Sequence, residues 1–328
     1  MPEDTPYARL AELIGAGDSK IVPAILETMA DENEIEVVLA AAPPATVAEL
    51  SERTGLAEST IEEMIDPLFK KGLLFKSRKP EGTRYYRVRY LGQFHDSSAV
   101  MLDPPEKMLD LWKQWMEEEW IEVTRRHPRP GMRVIPVNVS VDFNTQILAF
   151  EDVTELVKRA KKIAVTRCSC RAIDGACGQP LEVCLQLDKA ADYAIERGTG
   201  RSLTEDEALE MLQMCEEEGL VHTAGNASSS HVICNCCRDC CINWTAPGQT
   251  LEKFAAPSRF RASIEEPFCT GCELCVDRCY FDAMHMQEDG ILAAVTHENC
   301  VGCGLCQVVC ATDAILMEEA RPKEFIPA

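Results

Sequence analysis

The chain has 328 residues, 46% of them hydrophobic and 6% aromatic, which fits an ordinary folded protein with room for two or three domains. A formal charge of −21 argues against nonspecific nucleic-acid binding by the whole molecule. The opening Met1-Pro2-Glu3-Asp4 carries no basic and apolar leader, so the 18 cysteines are expected as metal ligands in a reducing cytoplasm rather than as disulfides. The most apolar long stretch, residues 37–48, is broken by Pro43 and Pro44 and is too short to enter a membrane as a span.

Taken in chain order, residues 19–30 and 34–42 read as short helices, the second stopped by Pro43 and Pro44. Val47, Leu50 and Leu56 follow around a turn at Gly55, then Ile61, Met64, Ile65, Leu68 and Phe69 recur at helical spacing over residues 58–71. Two strands, 73–75 and 85–88, flank a turn at Pro80-Glu81-Gly82. This order resembles a winged helix-turn-helix over about residues 20–90. A DNA-reading helix needs cations and amides on its exposed face, and this one offers Glu58, Glu62, Glu63 and Asp66. The wing carries Lys76, Arg78, Lys79, Arg84, Arg87 and Arg89 against Glu81. Docking or dimerisation is therefore the expected role, with DNA binding the lesser one.

Residues 96–131 form a connector with an amphipathic helix over 105–124, whose face is expected to carry Trp112, Met116, Trp120 and Val123 for packing rather than for a flavin. Pro128-Arg129-Pro130-Gly131 reads as a hinge. From Arg133 the pattern becomes α/β, with strands at 134–139 and 146–150, a helix at 152–161 and a buried strand at 163–166. That strand runs into Arg167-Cys168-Ser169-Cys170-Arg171. Pro180 suits the first turn of a helix reaching Arg197, Thr204 and Glu207 make a capping box for a helix ending at Gly219, and strands at 221–223 and 231–233 deliver Cys234-Asn235-Cys236-Cys237-Arg238-Asp239-Cys240-Cys241.

Extended residues two apart share a face, so Cys168 and Cys170 can point together, as can Cys234 and Cys236, while neighbours such as Cys236 and Cys237 diverge. Cys177 and Cys184, the latter from the start of its helix, complete the candidate ligands. At least one metal site is expected among Cys168, Cys170, Cys177, Cys184, Cys234, Cys236, Cys237, Cys240 and Cys241. One or two iron–sulfur clusters are the preferred occupants and zinc the rival. Arg167, Arg171 and Arg238 can offset thiolate charge. Cys215 reads as core and His222 as a hydrogen-bonded core histidine. The segments C-x-C-R and C-N-C-C-x-x-C-C, with Gly198-Thr199-Gly200-Arg201 and Gly219-Leu220-Val221-His222 between them, resemble a class of iron–sulfur proteins of anaerobes that end in a ferredoxin module. That resemblance spans about residues 90–320 and implies a cofactor more than a reaction.

The last stretch repeats C-x2-C-x2-C-x3-C at Cys269, Cys272, Cys275, Cys279 and at Cys300, Cys303, Cys306, Cys310. Gly271 aligns with Gly302, Asp282 with Asp313 and Ala283 with Ala314. The fourth cysteine lies too far along to close the same cage, so it serves the other cube. One 4Fe-4S cluster is thus expected on Cys269, Cys272, Cys275 and Cys310, a second on Cys300, Cys303, Cys306 and Cys279. The crossed pattern resembles the bacterial two-cluster ferredoxins over about residues 262–320, with Tyr280 and Ala311 where proline is usual.

The expected fold is α+β multidomain: a winged-helix-like domain at 1–95, a helical connector at 96–131, an α/β cysteine-rich domain at 132–258 and a two-cluster ferredoxin domain at 259–328. The expected function is an electron-transfer subunit that relays single low-potential electrons to a redox partner, a flavoprotein or an oxidoreductase subunit, with a homodimer through the N-terminal domain and no insertion in a membrane. A redox-sensing transcriptional regulator and an oxidoreductase with catalysis at the central cluster are the alternatives. No phosphate loop or dinucleotide fingerprint is found, nor a nucleophile with a recognisable partner set.

Overall fold

The computed structural model describes residues 5–126, 129–137, 151–245 and 251–327. The expected strand at 146–150, the end of the strand at 134–139 and the first residue of the hinge lie outside them. The chain divides into two compact units. One is Met1–Val123 with Ala172–Asp174 and Arg197–Thr199; the other is Thr124–Arg171, Gly175–Glu196 and Gly200–Ala328.

In the first unit, capping chemistry sets where helices begin. Asp31 opens Glu32–Ala40 and Thr46 opens Val47–Thr54, each in a capping box with the glutamate three residues on. Gly55, at φ 75°, closes the second helix. Helix Glu58–Lys70 buries Ile61, Ile65, Leu68 and Phe69 and leads into an antiparallel hairpin of β1 (Leu74–Lys79) and β2 (Gly82–Arg87).

The hairpin cations have more partners than Glu81. Arg84 bonds Glu49 at 2.6 Å and the Pro44 carbonyl at 2.8 Å, Lys76 lies 4.0 Å above the Phe69 ring, and Arg89 lies 4.4 Å from that of Tyr86. A helix absent from the sequence reading, Leu91–Ala99, follows. The expected connector helix then runs only over Glu106–Glu118 and buries Met108, Trp112 and Trp115. The break after Glu118 starts a separate helix, Trp120–Arg125, so the expected stripe through Trp120 and Val123 is not continuous.

The second unit is built on a six-stranded sheet, β3 (Met132–Val134), β4 (Ile163–Arg167), β5 (Glu182–Leu187), β6 (Gly200–Leu203), β7 (Val221–Gly225) and β8 (Val232–Cys236), in the order β3-β7-β8-β5-β4-β6. Every neighbouring pair is antiparallel, so the expected α/β pattern is realised without parallel strand pairs. Helices Val153–Arg159 and Glu205–Glu217 cover one face through Val153, Leu156, Val157, Ala208 and Leu212 against Val165, Leu185, Leu203 and Ile233.

The helix expected from Pro180 to Arg197 is a correction. Residues 182–187 form β5, and helix Lys189–Arg197 starts only after Asp188, held at φ 52°. The alternation of buried Val183, Leu185 and Leu187 with Cys184 and Gln186 is a strand period.

Thr204 and Glu207 form the expected capping box. The Thr204 backbone N–H donates to the Glu207 carboxylate at 2.7 Å and holds its pKa below the ordinary value, with help from the Thr204 hydroxyl and Arg201. A carboxylate with a depressed folded-state pKa contributes stability above its unfolded pKa and loses it as pH falls through the folded value. Glu207→Gln should therefore flatten the acid limb of the stability curve, read by thermal unfolding between about pH 3 and pH 7.

The C-terminal lobe of this unit pairs β9 (Phe260–Ile264) with β12 (Ile315–Glu319), and β10 (Met284–Met286) with β11 (Ala293–Val295), all antiparallel. Short helices Leu274–Arg278 and Leu305–Val308 carry the third cysteine of each run. The 31-residue repeat extends to the backbone, because Gly271 and Gly302, Glu273 and Gly304, and Asp282 and Asp313 all have positive φ. Both turns after the fourth cysteine thus form alike without proline.

A Cβ at Gly302 would stand 2.1 Å from the Phe260 carbonyl oxygen, whereas one at Gly290, also left-handed, meets nothing within 4 Å. Gly302→Ala is expected to cost more than the roughly 1–2 kcal/mol of backbone strain that Gly290→Ala incurs, and to lose cluster iron as well. Anaerobic denaturation and iron content of the two variants check this.

Candidate iron–sulfur centres

All 18 cysteines are free thiols. The structure gathers the eight C-terminal ones around two cavities. One is lined by Cys269, Cys272, Cys275 and Cys310 with Ile264, Thr270, Glu273, Ala293, Val309, Thr312, Ala314 and Ile315. The other is lined by Cys279, Cys300, Cys303 and Cys306 with Ala262, Arg278, Phe281, Ala283, Met284 and Met317. Each cavity therefore draws three cysteines from one run and one from the other.

Four thiols around a mainly apolar hollow match the donor set of a 4Fe-4S cube. The Ala262 N–H also points at Cys300 Sγ, at 3.4 Å, the kind of contact that tunes a cluster's potential. Burial raises the Cys275 thiol to about 11 and Cys303 to about 12, and it also raises Cys306. Such thiols ionise readily only when a metal takes the proton's place. Cations stand beside the second cavity: Lys253, which donates to the Asn299 carbonyl at 2.7 Å, and Arg321, both within electrostatic range of Cys300.

A family model for the 4Fe-4S dicluster domain matches residues 268–314. No curated protein and no solved structure matches the chain. The C-terminal lobe is a ferredoxin-like iron–sulfur module.

The nine central cysteines do not form one group. Cys168 precedes helix Ser169–Asp174, which begins directly after β4, and Cys170 lies in its first turn. Burial and hydrogen bonds with Cys170 and Cys236 raise the Cys241 thiol, and Cys168 is raised by its hydrogen bond with Cys170 and by burial. These four sulfurs thus form a chain, Cys168 to Cys170 to Cys241 to Cys236. Asn243 supports it, its backbone N–H donating to Cys241 Sγ at 3.4 Å and its amide to Cys236 Sγ at 3.5 Å.

Cys237 and Cys240 turn the other way and meet Cys177, the three sulfurs lying within 4.8 Å of one another. A hydrogen bond from Cys240 and another from Arg171 bring the Cys237 thiol down to about 5 despite its burial. Arg171 is buried, and its guanidinium donates to the Pro180 and Asn235 carbonyls. Burial works against its charge, but Cys168 and Cys237 hold the pKa raised.

Cys184 stands on β5 rather than at a helix start, where its sulfur accepts from Gln186 at 3.2 Å. Cys234 packs in the apolar layer with Val134 and Val221. Arg238 is exposed. Cys215 is buried in the core and pushed up to about 12 by that burial. His222 is buried, its Nδ1 2.6 Å from Asn235 Oδ1 and its Nε2 3.1 Å from Glu216 Oε1, which leaves neither ring nitrogen for a metal.

The supporting groups Asn243, Thr223 and the Ala262 N–H belong to no cysteine motif and carry no signature of their own in the sequence. Thr223 Oγ1 lies 3.4 Å from Cys236 Sγ. The signal for it was strand register, since β7 pairs Thr223 with Cys234.

Among the described residues no helix is long and apolar enough to cross a membrane.

Proposed function

We propose that this protein transfers single low-potential electrons through two 4Fe-4S clusters and a further central cluster to a redox partner, a flavoprotein or another oxidoreductase subunit, in the cytoplasm of an anaerobe. Cys269, Cys272, Cys275 and Cys310 would hold the first cluster, Cys279, Cys300, Cys303 and Cys306 the second, and Cys168, Cys170, Cys236 and Cys241 the central one. When bound, each cluster takes up and releases one electron. The protein orients the thiolates, excludes water from them and sets the local charge.

One observation carries this reading. A single packed layer contains Cys234, Cys236 and Cys241 of the central module together with Cys279 and Cys303 of the second ferredoxin cavity, joined by Phe281, Val301, Leu305 and Trp244. The Val137 N–H donates to the Cys303 carbonyl at 3.0 Å, so a strand-flanking segment of the central sheet is tied to the cavity wall. Lys253 and Arg321 favour the reduced, more negative state of the second cluster, which supports electron flow from the first cluster inward.

The N-terminal unit would serve as a winged-helix-like docking or dimerisation element. The engagement of Arg84, Lys76 and Arg89 within that unit supports this over DNA binding. Iron and acid-labile sulfide on the anaerobically purified full chain test the proposal. About 12 of each per chain are expected, and about eight would leave the central four thiols without a cluster.

A further inference from the structure

The division of the central cysteines carries a second conclusion, independent of the electron-transfer reading. We infer that Cys177, Cys237 and Cys240 form a metal site of their own, holding one zinc ion through three thiolates and leaving the fourth position to water or to an incoming thiol.

Spacing is the first argument. On a cube each thiolate binds a different iron, so the body of the cluster keeps the sulfurs apart. A single zinc with Zn–S bonds of 2.3 Å draws its tetrahedral sulfurs to about 3.8 Å from one another. Cys177, Cys237 and Cys240 lie within 4.8 Å, while among the described residues neither the ferredoxin cysteines nor the chain Cys168, Cys170, Cys241, Cys236 closes into such a trio. The ferredoxin thiols are thus set around cavities, while this trio is drawn together as one ion requires.

The backbone supplies the second argument. Cys237 and Cys240 stand at the ends of a C-x2-C turn in which the Cys240 N–H donates to Cys237 Sγ at 3.4 Å, and the Trp244 indole N–H fixes the Cys237 carbonyl at 3.0 Å. Cys177 arrives from the loop after helix Ser169–Asp174, where Gly175 and Gly178 both take positive φ to turn the chain. Neighbouring Cys236 and Cys241 are committed to the other group, so the two adjacent pairs distribute their sulfurs between two sites.

Charge is the third. Three thiols lose their protons as zinc binds, leaving a net charge of about −1 at the site. Arg171, buried beside Cys237 and hydrogen-bonded to it, offsets that charge. No fourth cysteine, histidine or carboxylate among the described residues joins the trio. Three protein ligands and an open position are the pattern of zinc sites that bind an exogenous ligand rather than only brace a fold.

Zinc, iron and acid-labile sulfide measured on anaerobically purified full chain, as wild type, Cys177→Ala and Cys177→His, test the site. The wild type should hold about one zinc per chain, Cys177→Ala should drop it to near zero with iron and sulfide unchanged, and Cys177→His should restore it, since imidazole is also a zinc ligand. Retained iron shows that the variant has folded. If Cys177→Ala loses iron and sulfide in step, the trio belongs to a cluster and the inference fails. It fails equally if the wild type binds no zinc after incubation with Zn(II). Neither failure touches the ferredoxin cavities, which share no cysteine with the trio.

Discussion

Replacing Cys279 and Cys300 together by alanine is expected to remove about four irons per chain, no more than either substitution removes alone. Replacing Cys279 and Cys269 together by alanine is expected to remove about eight. Cys279 belongs in sequence to the run that begins at Cys269, but in space it lines the cavity of Cys300, Cys303 and Cys306. Two ligands of one cube are redundant targets, because losing either already loses the cube, whereas ligands of different cubes act independently. Iron and sulfide analysis of the single and double variants reads the outcome. The reverse pattern, with Cys279 redundant to Cys269, would mean that each run closes its own cage and that the crossed arrangement is wrong.

Arg259→Met is expected to destabilise the chain by about 3–5 kcal/mol, the typical effect of removing one partner of a buried ion pair. Arg259 is fully buried, and its Nε bonds Glu151 Oε1 at 2.5 Å. Glu151 is itself only 2% exposed at its side chain, so it has no ready exchange of its guanidinium partner for water. A second link, to Glu319 at 2.9 Å, is more than a third exposed at the carboxylate and matters less. The double variant Arg259→Met with Glu151→Leu should recover part of the loss, since it removes both charges of the pair but also takes Glu151 away from the buried Arg133. Anaerobic urea unfolding of the single and double variants separates these cases. A single variant within about 0.5 kcal/mol of wild type would show that water already reaches the pair.

The ferredoxin lobe was legible because its chemistry is local: cysteine spacing and the 31-residue offset are written in adjacent residues, and the paired left-handed positions follow the same offset. The divergence of Cys236 from Cys237 was expected from strand alternation, but β8 ends at Cys236 and the turn that follows sets the direction of Cys237. What each then meets was not legible. Cys170 and Cys177 come from a segment about 60 residues upstream, and only the antiparallel packing of β4, β5 and β8 brings them to the segment from Cys236 to Cys241. Pro180 misled because proline at a helix start and proline before a strand look alike locally, and the period of two in residues 182–187 was the better signal. The tryptophan stripe failed at Glu119, where the helix breaks without a glycine or proline to announce it. The Arg259 to Glu151 pair spans 108 residues and has no sequence signature.

Electron transfer is tested most directly by reductive titration of the anaerobic full chain at controlled potential, followed by electron paramagnetic resonance. Reversible uptake of at least two electrons per chain is expected, about one for each ferredoxin cluster, with signals from the two reduced clusters that broaden one another. A chain that takes up no electrons, or that loses its clusters on reduction and does not recover them on reoxidation, would contradict a role in electron transfer.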